Sequence, residues 1–237
     1  MLKKVAIVMG MLAVVAAPAM ATTVHDPWSA SNAHDELNLY EIVNALYGTH
    51  FASTLGMQYA QTDPNDEIFS GKQDIEAEAR YASWVETLGW YQPTGTGHPL
   101  QLHTLFTVTT TGLGSLGSAI IDPTGTYGFF DQAGPANNPN EVRWFSETNR
   151  NSNREDHMVA YDLEALTHDS AYHDFLLTGW EDKPFSSSDR DYQDLVVQLG
   201  PVGSGGGGQG SSTPEPATLV LLGLGAGAAF LRRKFYV

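Results

Sequence analysis

Cysteine is absent from the 237 residues, which excludes disulfides, thiolate metal sites and cysteine nucleophiles. Basic residues are scarce: 12 Lys+Arg face 27 Asp+Glu, a formal net charge of −15. A phosphate backbone needs a basic face, so a nucleic-acid partner is excluded. Only 16% of the chain is charged at all, which is low for a soluble protein. No internal repeat of fixed period occurs. The 8 histidines never fall as His-x-His or His-x-x-x-His; His168 and His173 stand five apart, so a zinc site has no sequence support. Gly114-Ser115-Leu116-Gly117 lacks the Gly-x-Ser-x-Gly elbow of a serine nucleophile. A glycosidase needs two carboxylates about 5 to 9 Å apart, and a chain with 27 acids meets that condition by chance.

Long apolar runs are confined to the two ends. Lys3 and Lys4 precede Val5 to Ala17, and Ala19-Met20-Ala21 has the small-x-small form of a signal-peptidase site. This predicts a signal peptide over residues 1–21, cleavage after Ala21 and export. Ala217 to Leu231 is a second apolar stretch, followed at once by Arg232, Arg233 and Lys234. Its length gives about 22 Å of helix, a short transmembrane segment. The basic end would stay on the cytoplasmic side, with the rest of the chain outside. Residues 202–213 are rich in Gly and Ser and read as a flexible tether. The part left without these ends, residues 22–201, is still more acidic than the whole. Such a surface repels anionic polymers and attracts divalent cations.

Pro214-Glu215-Pro216, the short glycine-containing span and the basic end Arg232-Arg233-Lys234 together resemble a PEP-CTERM sorting signal over residues 214–237. The resemblance implies that an exosortase, a membrane transpeptidase-like enzyme, recognises and cuts the tail. It also implies a Gram-negative bacterium that makes exopolysaccharide. The expected path is transient anchoring in the inner membrane, then release to the cell surface or extracellular matrix.

Within residues 22–201, Leu39, Ile42, Val43 and Leu46 fall at near-helical spacing, with Asp35 as cap and Gly48 as stop. Strand signals follow: alternation at Ala77, Ala79, Tyr81 and Ser83, then Leu100 to Val108, Thr126 to Phe130, Val142 to Ser146, His157 to Asp162, Asp174 to Trp180 and Asp194 to Leu199. Each run is aromatic or β-branched and bounded by Gly, Pro, Asn or Asp. The expected fold class is mainly β: an antiparallel β-sandwich or jelly-roll-like domain with a short N-terminal helix.

The segment Gly179 to Leu199, GWEDKPFSSSDRDYQDLVVQL, holds Glu181, Asp182, Asp189, Asp191 and Asp194 just before an apolar strand. Close like charges repel by about 4 kcal/mol per pair at an effective dielectric near 20. Bringing them together needs a cation or raised pKa values. Calcium fits, because it is hard, takes six to eight oxygens and tolerates loop geometry. Asp189, Asp191 and Asp194 supply oxygens from one turn, with Glu181 and Asp182 approaching from the preceding strand end. The bland alternative is a solvated acidic turn capping a hairpin. Asn149, Asn151 and Asn153 copy the 1, 3, 5 spacing of calcium loops but have Arg154 at the sixth place instead of Gly, so an ordinary Asn-rich loop is favoured. Thr62 to Glu67 is a weaker candidate of the same kind.

The same residues, Gly179-Trp180-Glu181-Asp182 and Ser188-Asp189-x-Asp191-Tyr192-x-Asp194, resemble the end of DUF4114-type domains of exported bacterial proteins. The resemblance extends loosely through Tyr127 to Phe130 and Glu155 to Met158. That family has Asn where this chain has Gln193, so Gln193 is not counted among the ligands. The resemblance implies a β-sandwich that binds Ca²⁺ and supplies no activity. The expectation is therefore a non-enzymatic, structural or adhesive component of the envelope or exopolysaccharide matrix. A carbohydrate-binding module is the alternative, using Trp28, Trp84, Trp90, Trp144, Trp180 and tyrosines as sugar platforms, although such aromatics are more often core. A glycan hydrolase ranks third.

Overall fold

The computed structural model describes residues 22–26, 36–62, 68–92, 100–134 and 142–202. The signal-peptide residues Ala19 and Ala21, the linker from residue 203 and the sorting residues Pro214, Glu215, Pro216, Arg232, Arg233 and Lys234 lie outside them. So do Trp28, Asp35, residues 63–67 and the apolar stretch 217–231. Among the described residues no helix is long and apolar enough to cross a membrane.

Helix α1 spans Leu39–Tyr47. Its cap is Asn38, whose backbone N–H donates to the Glu41 carboxylate at 2.9 Å. Gly48 ends it in the left-handed conformation, φ +68°, where an L side chain would be strained. Leu39, Ile42 and Val43 are buried, as their spacing requires.

Ten strands follow: β1 Phe69–Ser70, β2 Gln73–Arg80, β3 Val85–Gln92, β4 Gln101–Val108, β5 Gly112–Ile121, β6 Thr126–Gly134, β7 Val142–Phe145, β8 Met158–Asp162, β9 Leu176–Trp180 and β10 Leu195–Pro201. A short helix α2, Leu163–Thr167, sits between β8 and β9. One sheet has the order β5-β2-β10-β9-β8; the other has β1-β6-β3-β4, with β7 also on β6. Every pairing is antiparallel. The last three strands form a plain meander in one sheet.

The two sheets pack face to face. Ile75, Ala77, Leu88, Phe129, Trp180, Leu195, Val197 and Leu199 fill the space between them. The alternate residues Val159, Tyr161, Leu177 and Val196 face a second core built with α1, α2 and the 3-10 helix Thr54–Ala60. The first sheet is thus apolar on both faces and has few polar residues along β10, which explains the nearly continuous apolar run there. Register shifts at β2, between Ala77 and Ala79, so Ala77 packs between the sheets while Ala79 packs against the helices. A bulge turns one strand to serve both cores.

The expected sandwich and N-terminal helix are therefore present. Three strands have no counterpart among the predicted runs: the two-residue β1, β3 and β5. Strand β5, GLGSLGSAII, carries three glycines and reads as turn-like; it survives as an edge strand paired to β2. Strand β3, VETLGWYQ, carries Glu86 and Gly89, yet it is held on both sides, by β4 and β6.

Two of the tryptophans on strands, Trp90 and Trp144, differ in how far they are core. Trp144 is 3% exposed and its ring lies flat on His157, centroids 3.6 Å apart. Trp90 is half-buried and stacks on His103 at 4.1 Å. Trp144→Ala is expected to cost about 3 to 5 kcal/mol, as for buried aromatics generally, and Trp90→Ala distinctly less. Thermal melts of the two variants check the order; equal losses would contradict it.

Candidate metal centre

The β9–β10 connection, residues 181–194, is built by the strand register. Trp180 pairs with Leu195, so the next residues outward, Glu181 and Asp194, are set side by side at the mouth of the hairpin. Asp191 is brought in by an unusual backbone. Arg190 and Tyr192 both take left-handed conformations, φ +61° and +55°, a cost that persists only where surrounding contacts hold it. Tyr192 is fully buried and its hydroxyl donates to the Asp156 carbonyl at 2.6 Å. The returning loop lies against Gly179, where an added Cβ would sit 2.5 Å from the Tyr192 carbonyl oxygen. Glycine at position 179 is therefore needed for the loop to close.

The result is a buried triad. Glu181, Asp191 and Asp194 each offer one oxygen, and these oxygens lie within 4.8 Å of one another. One oxygen of each carboxylate accepts from the loop backbone. The Lys183 N–H donates to Glu181 Oε1 at 3.2 Å, the Gln193 N–H to Asp191 Oδ1 at 3.4 Å and the Asp182 N–H to Asp194 Oδ2 at 2.9 Å. Glu181 Oε2 is buried without a hydrogen-bond partner. An all-oxygen, anionic donor set of this kind suits a hard divalent cation and fits calcium.

The loop start is clamped from both sheets. The Trp144 indole N–H, from β7, donates to the Asp182 carbonyl at 2.9 Å. His157 Nδ1 bonds the Glu181 carbonyl at 3.0 Å, which fixes the proton on Nδ1 because a carbonyl only accepts. Its Nε2 then accepts from Asn153 at 3.2 Å. Burial holds the His157 pKa down at about 4, so the ring is neutral near pH 7. It is a positioning group and not a ligand; among the described residues no histidine joins a metal-capable group.

The electrostatics are those of charges short of a counter-ion. Burial first, then Asp189 and Glu181, push Asp191 up to about 8. Burial also raises Asp194, with Asp182, Glu181 and Asp191 adding to it, and it raises Glu181 and Asp182.

Of the five residues picked from sequence, the structure brings three together. Asp189 is exposed; the left-handed turn at Arg190 separates it from Asp191, although its charge is still felt at the triad. Asp182 is fully buried, but its carboxylate faces Lys183 Nζ at 3.6 Å and is not one of the three that come within ligating distance of one another. Gln193 is also buried, and its amide oxygen finds no partner. The Asn-rich loop serves as a peg: Asn151 accepts from the Phe145 N–H at 2.8 Å and donates to the Phe145 and Glu155 carbonyls at 3.1 and 2.9 Å. Sequence reasoning passed over Glu86 and Asp131, which are fully buried. Glu86 alternates with Leu88 and Trp90 along β3, and that placement was the signal available.

Between pH 6.5 and 8.5 the metal-free protein should lose stability as pH rises. An unfolded Asp ionises near 3.9, whereas folded Asp191 keeps its proton up to about 8. The folded state binds more protons in that window, so raising the pH favours unfolding. His157 contributes only below its ordinary pKa, with the opposite sign. Melting in chelator across this window checks the slope, and saturating calcium is expected to flatten it. Gly179→Ala should lower the melting temperature, because its Cβ displaces the Tyr192 carbonyl and with it the loop that carries Asp191.

A comparison with curated proteins finds no match to the chain. Residues 212–234 match the family described as the PEP-CTERM protein-sorting motif. The match lies in the tail, reaches none of the residues of the acidic site, and marks the chain as one that carries a C-terminal signal for export, exosortase processing and cell-surface sorting.

Proposed function

We propose that this is a calcium-stabilised β-sandwich delivered by its sorting tail to the cell envelope or exopolysaccharide layer, where it serves as a structural or adhesive component. One observation carries the reading: Glu181, Asp191 and Asp194 are buried together with an oxygen of each within 4.8 Å of the others, and the loop backbone donates to all three. An arrangement that costs so much without a cation is suited to an environment that supplies one, and the outside of a cell does.

The exposure of the tryptophans favours this over sugar binding. Trp144 and Trp180 are 3% and 1% exposed, and Trp84 and Trp90 are half-buried. Among the described residues they form no open row on one sheet face, which is what a sugar platform requires.

The test is a melt of the full-length chain in EDTA, calcium or magnesium. Calcium at a hundredfold excess over its dissociation constant should stabilise by about 2.7 kcal/mol. Magnesium should do much less, since it demands a tighter octahedron and keeps its waters. Asp191→Asn should remove most of the calcium gain. No shift with calcium, and no uptake by calorimetry, would leave only a protonated acidic turn. For the sorting part, the exported product is expected to begin at Thr22 and to lack the Arg232-Arg233-Lys234 end; a surface product that keeps this end would contradict it.

A further inference from the structure

One flank of the sandwich is bare of charge. Residues 101–121, which make β4, the turn after it and β5, contain no Asp, Glu, Lys or Arg, in a chain of net charge −15. The two strands are edges of different sheets and lie on one side of the molecule, where the Phe106 ring of β4 packs over Gly117 of β5. Strand β5, Gly112–Ile121, is the longest of the ten and pairs with β2 alone. Among the described residues its other row of backbone N–H and C=O groups has no strand beside it. A lysine, a proline or an inward charge would protect such an edge, and β5 has none of them. The opposite edge of the same sheet is handled differently. There β8 is covered by the chain itself, through the Thr62 N–H on the Ala160 carbonyl at 3.0 Å and a bridge between Gln61 and Tyr161.

What β5 offers is symmetric end to end. Leu113, Ser115, Ser118 and Ile120 are exposed, and the residues between them are half-buried. Leu113 and Ile120 are 39% and 59% exposed. A regular strand would put these two on opposite faces. They share the outer face because the alternation breaks once: Leu116 and Gly117, consecutive residues, both face the core between the sheets, and the register with β2 shifts between Leu113 and Gly117. Read from either end, the outer face of β5 therefore presents aliphatic, hydroxyl, hydroxyl, aliphatic about a midpoint at Leu116–Gly117. Strand β4, exposed over residues 101–104 and covered toward Val108, has no such symmetry.

We infer that β5 is the contact through which two copies of this chain associate, paired antiparallel about a two-fold axis through Leu116–Gly117 and joining their first sheets into one. Such an axis sets Leu113 opposite Ile120 of the second copy and Ser115 opposite its Ser118. Each arm then has an apolar pair and a hydroxyl pair, both favourable across strands. An isologous contact requires a surface complementary to itself, and the order of side chains along β5 meets that requirement. Charge selects the same occupant. A basic partner finds no carboxylate on this strand, and an acidic one is repelled by the chain as a whole. A second copy, although equally acidic, meets β5 with a strip that carries no charge. The acids of β2 on that face, Asp74 and Glu76, stand one strand back. At ordinary strand spacing they are about 14 Å from their counterparts, beyond the screening length of about 8 Å. The bulge falls on the axis and so leaves the two arms alike.

The chain has no native cysteine, so introduced ones read the pairing cleanly. Full-length Ser115→Cys and Ser118→Cys proteins are prepared separately in mild detergent with reductant, then oxidised after its removal, each alone and mixed in equal amounts. In the inferred register, positions 115 and 118 of the two copies face each other with Cα atoms about 4.5 to 5.5 Å apart, within disulfide range. Position 115 and its own counterpart are three residues apart along the strands, about 10 Å, which is outside that range. The expected result is a disulfide-linked dimer in the mixture, little in either protein alone, and its loss when Leu113→Lys and Ile120→Lys are added to both. Both serines are exposed, and a melt of each variant checks that the fold is kept. No linked dimer in the mixture overturns the inference and leaves the edge to another partner or to solvent. Equal linkage in the mixture and in the single variants overturns it as chance collision. Linkage that survives the two lysines also overturns it and assigns the association to another part of the chain. Light scattering of the wild type gives a further check: a mass that stays monomeric at every concentration overturns the inference whatever the variants do.

Discussion

Between Glu181 and Asp194 the structure opposes two carboxylates by the register of its last hairpin, and at 4 Å such a pair repels by about 4 kcal/mol at an effective dielectric near 20. Apolar packing enforces the approach: Trp180 and Leu195, the pair just inside them, are 1% and 0% exposed and belong to the core between the sheets. The core cannot form without bringing the acids together. Much of the surrounding architecture can be understood as managing this conflict. The loop backbone donates N–H groups to the carboxylates, Trp144 and His157 hold the neighbouring carbonyls, and Tyr192 is driven into a left-handed conformation so that Asp191 can join.

This makes the site an integral part of the fold. Its residues sit just past β9, in the loop and just before β10, and its clamps come from β7 in one sheet and from the residue that leads into β8 in the other. Removing the charges would relieve the repulsion but leave the loop without its reason to turn inward. Neutralising them in place keeps both the hydrogen bonds and the geometry, and a cation does so at neutral pH without requiring several acids to hold protons.

The sequence made the β class, the helix over Leu39–Tyr47 and the acidic loop legible, because each rests on a local pattern: helical spacing with Gly48 at the end, apolar runs with turn residues between them, and carboxylates crowded before β10. What it hid depended on tertiary placement. Strand β5 gave no strand signal because its glycines break the apolar alternation, and pairing with β2 makes it a strand. Asp189 and Asp191 look equivalent in sequence; the left-handed backbone at Arg190 puts one outside and the other inside. Glu86 and Asp131 carried no local signal of belonging together, since 45 residues separate them and only the β3–β6 register makes them neighbours. The asparagines at 149, 151 and 153 show the reverse error: their spacing suggested ligands, and Asn151 turned out to tie its own loop to β7.

Strand β10 has a mechanical consequence. It runs between β2 and β9, hydrogen-bonded to both and antiparallel to both, and it ends at Pro201, where the chain departs toward the sorting tail. Tension applied from that side therefore enters along the strand axis and loads the two rows of bonds in shear, many at once, instead of peeling them one by one. Just before its far end, Leu195, the Asp194 carboxylate accepts from the Asp182 N–H. A protein held at a surface by its last strand is thus held by a central strand, with the acidic loop as the stop that the strand must pull past before it can slide.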